Sequence, residues 1–88
     1  MKILKKSGAL EEYSSEKIKS SLAAASDEAN QPLNESDLRR IIASLHEVIE
    51  GKEVVATHHI TIIITGILYT KGYYGVIDKY LTYVRKRV

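Results

Sequence analysis

Ile3-Leu4-Lys5-Lys6-Ser7-Gly8-Ala9-Leu10-Glu11-Glu12-Tyr13-Ser14-Ser15-Glu16-Lys17-Ile18 decides how the chain is read. A short apolar and basic run, Met1 to Lys6, meets Ser7-Gly8. A second short run, Ala9 to Tyr13, follows, and a helix start then carries Lys17 in its first turn. Two short runs around a glycine turn predict a β-hairpin. Two registers are open. A two-residue loop pairs Lys5 with Leu10. A three-residue loop with Gly8 in the left-handed region pairs Lys5 with Glu11 and Ile3 with Tyr13, and this register is the favoured one. It sets Leu4 and Leu10 on one face and Ile3, Lys5, Glu11 and Tyr13 on the other. The same layout lets Lys5, Lys6 and Lys17 converge on one anion. A phosphate needs positive charge and several N–H donors in a small volume, and lysines beside a helix N-terminus supply both.

Beyond the hairpin the chain reads as helices. Ser14 or Ser15 caps the first, whose apolar stripe is Ile18, Leu22, Ala25 and Ala29. Gln31-Pro32 is expected to end it, because the residue before proline avoids the helical region. Asn34 and Asp37 form a capping-box pattern, followed by Leu38, Ile41, Ile42, Leu45, Val48 and Ile49 at helical spacing. Gly51 stops this second helix, and Val54-Val55 is a short third-strand candidate. The segment from Thr57 to Lys71 carries two conflicting signals. Ile60 to Thr65 is wholly β-branched, which favours a strand. Ile60, Ile63, Ile64, Ile67 and Leu68 nevertheless share one helical face, and the segment is long for a strand. Periodicity wins, with Thr57 as N-cap and Gly72 as C-cap. A last helix spans about Tyr73 to Lys86, with Tyr73, Val76, Ile77, Tyr80, Leu81 and Val84 facing inward. The expected fold class is α+β: a four-helix bundle capped by a small N-terminal β-hairpin or three-stranded sheet.

The 88 residues suit a single domain, and hydrophobic content of 44% with 27% charged residues argues against disorder. The chain has no cysteine, which excludes a disulfide framework, a zinc ribbon and a thiol nucleophile. A cytoplasmic location is expected. The most apolar stretch, Ile60 to Tyr69, is interrupted by threonines and bounded by His59 and Lys71, so no membrane span is expected. Lys2, Lys5 and Lys6 break up any signal-peptide core. The net charge of +2 does not by itself point to nucleic acid. Basic residues do gather at both ends, in Lys2-Lys5-Lys6 and Arg85-Lys86-Arg87, and form one patch if the fold joins the ends.

With these pieces placed, the chain resembles an ATP-cone domain. This regulatory module stands at the N-terminus of many ribonucleotide reductases, and follows the zinc ribbon in the bacterial repressor of reductase genes. The family opens with Val, any residue, Lys, Arg, Asp, Gly, then an acidic or polar stretch, Phe or Ile, Asn or Asp, and later Lys-Ile. Here stand Ile3, Leu4, Lys5, Lys6, Ser7 and Gly8, then Glu11, Tyr13, Ser14 and Lys17-Ile18. The family's third helix opens Ser-Thr-acid-acid-Ile-Gln, matched by Ala56-Thr57-His58-His59-Ile60-Thr61. Its close is similar to Gly72-Tyr73-Tyr74-Gly75-Val76 and Tyr80-Leu81-Thr82-Tyr83-Val84-Arg85-Lys86. The resemblance implies that residues 1–88 are a single ATP-cone domain binding ATP or dATP as effector, with Mg2+ as an accompanying ion and no structural metal. It assigns Ile3 to the adenine, Lys5 and Lys6 to phosphates, Glu11 to the base or sugar side, Ser14 and Lys17 to the helix entry, Thr57 and Thr61 to the cavity wall, and Lys86 to the phosphates. Departures are Ser7 for an acid, Lys6 for arginine, Ser14 for Asn or Asp, and His58 and His59 for acids.

Blander roles stand beside these. Lone lysines are by default solvated, Glu11 can be merely a cross-strand partner of Lys5, and adjacent first-turn histidines are more often exposed than metal ligands. Arg85-Lys86-Arg87 most often complements a helix dipole. Tyr73, Tyr80 and Tyr83 read as core or interface residues, and Ile62 lies off the main stripe of its helix. No catalytic constellation or P-loop is present, so an enzyme is not expected. The leading function is an adenine-nucleotide sensor tied to ribonucleotide reductase or its regulation, acting by nucleotide-dependent association with itself or a reductase-related protein. The alternative is an oligomerisation module that keeps the shape without the nucleotide. A small nucleic-acid binder is the weakest reading.

Overall fold

The computed structural model describes residues 1–86, with the side chain of Lys86 outside the described set. Strand β1 (Lys2–Leu4) lies at the centre of a three-stranded sheet, antiparallel to β2 (Leu10–Glu12) and parallel to β3 (Val54–Ala56). Helices α1 (Ser15–Glu28) and α2 (Glu35–Ile49) connect β2 to β3, and α3 (Thr57–Thr70) and α4 (Tyr74–Lys86) follow. The fold is α+β, four helices with a small sheet, as the sequence predicts.

The hairpin register is neither of the two expected. Lys2 pairs with Glu12, Ile3 with Glu11 and Leu4 with Leu10. The Lys5 N–H donates to Ala9 O at 2.9 Å and the Gly8 N–H to Lys5 O at 2.9 Å, so the loop is Lys6-Ser7-Gly8 with Gly8 at φ +91°. Pairing Lys5 with Ala9 satisfies the backbone groups nearest the turn, whereas the favoured register encloses a longer unpaired loop. The slip is two residues, an even number, so the face assignment survives. Ile3 is buried, and Leu4 and Leu10 are exposed.

Three other expectations need correcting. Helix α1 ends before Gln31-Pro32, at a left-handed Asn30 (φ +54°). There the Asn30 N–H donates to Asp27 O at 3.2 Å and the Gln31 N–H to Ser26 O at 3.0 Å, the Schellman pattern. Thr57 is the first helical residue of α3 and Ala56 occupies the cap. The reason is that β3 pairs Ala56 with Leu4, which keeps Ala56 extended. Val48 is half exposed, because at about 100° per residue it falls on the edge of the α2 stripe.

The α2 capping box forms as the sequence predicts. The Asp37 N–H donates to Asn34 Oδ1 at 2.8 Å, and the Asn34 N–H donates to Asp37 Oδ2 at 3.1 Å. Replacing Asn34 with alanine is expected to cost about 1 kcal/mol of stability, read as a lower urea midpoint at unchanged slope.

Helix α3 resolves the conflict between propensity and period in favour of period. Ile60, Ile64 and Leu68 are buried on one face. Its threonines are accommodated by bonding back along the helix: Thr61 Oγ1 donates to Thr57 O at 3.1 Å, and Thr65 Oγ1 to Thr61 O at 2.8 Å. Gly72, at φ +82°, then allows the Schellman close in which the Tyr73 N–H reaches Leu68 O at 2.9 Å. Helix α4 packs on α1 and α3, burying Val76 and Tyr80, while Ile3 and Val55 attach the sheet to the same core.

Candidate functional site

The sheet does not lie flat on the helices. Between the inner face of the β1–β2 ribbon, the first turn of α1, the first turn of α3 and the end of α4 there is a cavity of about 870 Å³. Its position follows from local signals. Ser14 is extended (φ −136°, ψ 112°), which turns the chain from β2 into α1 and sets Lys17 in the first helical turn. Ala56 performs the same turn from β3 into α3, bringing Thr57 and Thr61 to the opposite wall.

Ile3, Lys5, Lys6, Glu11, Ser14, Lys17, Thr57 and Thr61 all line this cavity. Lys86, the remaining residue singled out from sequence, has its side chain outside the described residues. The walls also hold residues given no ligand role from sequence, namely Tyr13, His58 and Arg85. The contribution of Arg85 depends on α4 returning its C-terminal end to the N-terminal ribbon, which no local pattern records. The basic ends of the chain do therefore meet, at Lys5, Lys6 and Arg85.

The cavity's charges are organised by Glu11. Its Oε2 lies 3.1 Å from Lys5 Nζ and its Oε1 lies 3.6 Å from Lys17 Nζ. One carboxylate thus joins β1, β2 and α1. Lys5 reaches it diagonally, since Lys5 pairs with Ala9 and Glu11 with Ile3. The hydrogen bond from Lys5, with the charge of Lys17 added, holds the Glu11 carboxyl below its usual range despite some desolvation. Glu12 is engaged separately, 2.6 Å from Lys2 Nζ and 3.7 Å from the N-terminal amine, and its carboxyl is also lowered, chiefly by the Lys2 hydrogen bond. Lys6 makes no ion pair among the described residues, which leaves its charge to the cavity and to water.

Tyr13, which follows β2 and also lines the cavity, anchors the ribbon to α2. Its hydroxyl and His46 Nε2 are 2.7 Å apart, with the rings edge to face at 5.6 Å, so β2 is tied to the last turns of α2. Burial pushes the Tyr13 hydroxyl above its usual pKa. His58 and His59 are exposed, and no cluster of three or more metal-ligating side chains exists among the described residues. No described helix is long and apolar enough to cross a membrane.

One polar atom in the wall is unsatisfied. Thr57 Oγ1 is buried and has no hydrogen-bond partner among the described residues. A buried hydroxyl left unpaired costs free energy, so the atom is suited to a partner arriving from the cavity. Thr57→Val keeps the β-branched shape and removes the orphan. Melting of the free protein is expected at an unchanged or higher temperature, and the affinity for a cavity ligand that bonds this hydroxyl is expected to fall by up to about tenfold, the loss of one neutral hydrogen bond. A lower melting temperature together with unchanged affinity contradicts this reading.

A basic cavity with an apolar floor beneath a β-ribbon defines a small module for binding an anionic, partly apolar ligand. The chain belongs to the ATP cone domain family, whose model matches residues 1–88. Domains of this family bind ATP or dATP as effectors and are regulatory rather than catalytic. A search of curated protein sequences finds no match to the chain. The residues present fit such a ligand. Lysines gather on one side, the orphan Thr57 hydroxyl stands on another, and Ile3, Ile18, Ile60 and Val84 supply apolar surface.

Proposed function

We propose that residues 1–88 act as one adenine-nucleotide sensor, with ATP or dATP bound in the cavity under the ribbon. The observation that carries this reading is the gathering of Ile3, Lys5, Lys6, Glu11, Ser14, Lys17, Thr57 and Thr61 around a single cavity of about 870 Å³, in a chain of this family. Its volume lies within the range of about 300–1,000 Å³ usual for small-ligand sites. In this proposal Ile3 packs on the adenine, and Lys5, Lys6, Lys17 and Lys86 bind the phosphates with or without Mg2+. Ser14, Thr57 and Thr61 hydrogen-bond the ligand, and Glu11 faces its nucleoside end.

The nucleotide is held, not hydrolysed, and the output is a change in association. Two assembly states with different nucleotide affinities suffice for this coupling. The partner is a second copy of the chain or a protein of the ribonucleotide reductase system, in the cytoplasm. Exposed apolar groups give such an association material. Tyr69 and Tyr74 are exposed and stack edge to face at 5.4 Å, and Ile62 is exposed on α3.

Calorimetric titration with ATP, dATP and GTP, with and without Mg2+, tests the binding, and sedimentation with and without nucleotide tests the output. Saturable binding of an adenine nucleotide is expected. Absence of binding at millimolar nucleotide overturns the sensor reading. A stable oligomer indifferent to nucleotide supports instead the oligomerisation module, the reading favoured by the same exposed tyrosines and Ile62.

A further inference from the structure

Lys5 and Lys17 are not idle in the free protein. Each is held by a different oxygen of one carboxylate, Lys5 by Glu11 Oε2 at 3.1 Å and Lys17 by Glu11 Oε1 at 3.6 Å. Glu11 thus stands, electrostatically, where an anionic ligand belongs. Resting on the nucleotide reading above, we infer that Glu11 is a specificity-determining residue: it makes the site refuse polyphosphate alone and accept polyphosphate joined to a nucleoside.

The physical basis is partner exchange. A polyphosphate that takes Lys5 and Lys17 strips Glu11 of both counter-charges and leaves its carboxylate a few ångströms from the incoming anion. Like charges at that separation repel, and a carboxylate stripped of its donors loses charge-assisted bonds. In the free protein the Lys5 hydrogen bond and the Lys17 charge lower the Glu11 pKa. Taking both cations away and bringing up an anion pushes it back up, so binding polyphosphate alone costs either like-charge repulsion or the uptake of a proton at neutral pH. A ligand avoids the loss only by bringing donors of its own for the carboxylate.

The register decides which part of a ligand can supply them. Glu11 pairs directly with Ile3, and direct cross-strand partners hold their Cβ atoms about 5 Å apart on one face. The carboxylate is therefore adjacent to the apolar floor, where a flat ring settles, as well as to the lysines. A ribose hydroxyl or a ring amine lying over Ile3 is within its reach, and inorganic tripolyphosphate has neither. The groups around Glu11 are the cations Lys5, Lys6, Lys17 and Arg85, with Glu12 and His58 also on the cavity wall. Only Lys5 and Lys17 pair with it among the described residues.

The ion pairs are partly exposed, so the effect is bounded. Two such pairs together correspond to about a tenfold change in affinity. The test compares ATP with inorganic tripolyphosphate by calorimetry on the wild type, on Glu11→Gln, and on Glu12→Gln as control. The control removes the same charge from the neighbouring residue without releasing Lys5 or Lys17. Glu11→Gln is expected to raise tripolyphosphate affinity about tenfold and to narrow the preference for ATP over tripolyphosphate, while Glu12→Gln raises it no more than about twofold. If the glutamine variant fails to fold, Glu11→Thr suits the strand and makes the same comparison. Equal tripolyphosphate gains in the two Glu variants, with wild-type ATP binding intact, overturn the inference alone. Absence of ATP binding to the wild type overturns the nucleotide reading and this inference with it.

Discussion

Lys5→Met with Lys17→Met is expected to weaken ATP binding about a hundredfold, because charge-assisted bonds contribute roughly 1.5–3 kcal/mol each and 1.4 kcal/mol is a factor of ten. On the proposed nucleotide reading some of that gain is offset, since both amines are paired with Glu11 in the free protein and would have to leave it to reach a phosphate. The partial exposure of the pairs keeps this offset small. Attraction to the polyphosphate outweighs it, because several negative oxygens gather several cations at once. Methionine keeps most of each aliphatic stem in place, so lost charge and lost packing are not confounded.

The same variant is expected to fold almost as well as the wild type. Its ion pairs are on the surface, and removing them should move the melting temperature only slightly. Lys19 provides the comparison. It pairs with Glu35, between α1 and the start of α2, and does not line the cavity. Lys19→Met removes one positive charge from the same helix as Lys17, yet ATP affinity should stay within about twofold of wild type at physiological salt, where the Debye length is about 8 Å. Calorimetry on the two variants separates a built site from a general attraction of anions to a basic protein. Equal losses in both are the result that refutes the site.

Most of the fold is legible in the sequence where the signal is periodic or local. The α2 stripe from Leu38 to Ile49 and the Asn34–Asp37 box need only neighbours within a few residues, and both form. The hairpin's existence and faces are readable, because Gly8 and strict alternation fix them. Its register is not, because an even slip keeps every face and the alternation cannot detect it. The end of α1 escapes the sequence because Pro32 is a loud signal and Asn30 a quiet one, and any residue that tolerates the left-handed region can close a helix first. In the cavity, residues on β1, β2 and the start of α1 lie within one short stretch, so Lys5, Glu11 and Lys17 can be grouped by eye. Arg85 and His58 cannot, since each reaches the cavity through the parallel β1–β3 pairing or the return of α4. The Tyr13–His46 bond joins residues 33 apart in sequence and leaves no trace in either local pattern.

Ile64→Ala is expected to be the most damaging single truncation proposed for this molecule, costing about 2–5 kcal/mol against a total stability of about 5–15 kcal/mol for a domain. Ile64 is fully buried at the middle of α3, where that helix packs against α2 and α4. Ile62→Ala, two residues earlier, should change stability by about 0.5 kcal/mol or less, because Ile62 is 54% exposed. The pair also decides between the two sequence signals in this segment. A strand alternates with period two and would bury Ile60, Ile62 and Ile64 together, making both truncations costly. A helix buries Ile60 and Ile64 and turns Ile62 outward. Urea unfolding at low protein concentration, where self-association does not contribute, separates the outcomes. The stability lost at Ile64 is also connected to the cavity, because Thr57 and Thr61 stand on the same helix. If nucleotide binds only the folded chain, saturating ATP should raise the stability of Ile64→Ala by the same free energy as it raises that of the wild type, RT ln(1 + [L]/Kd). A smaller rise would show that the truncation has disturbed the α3 wall of the cavity as well as the core behind it.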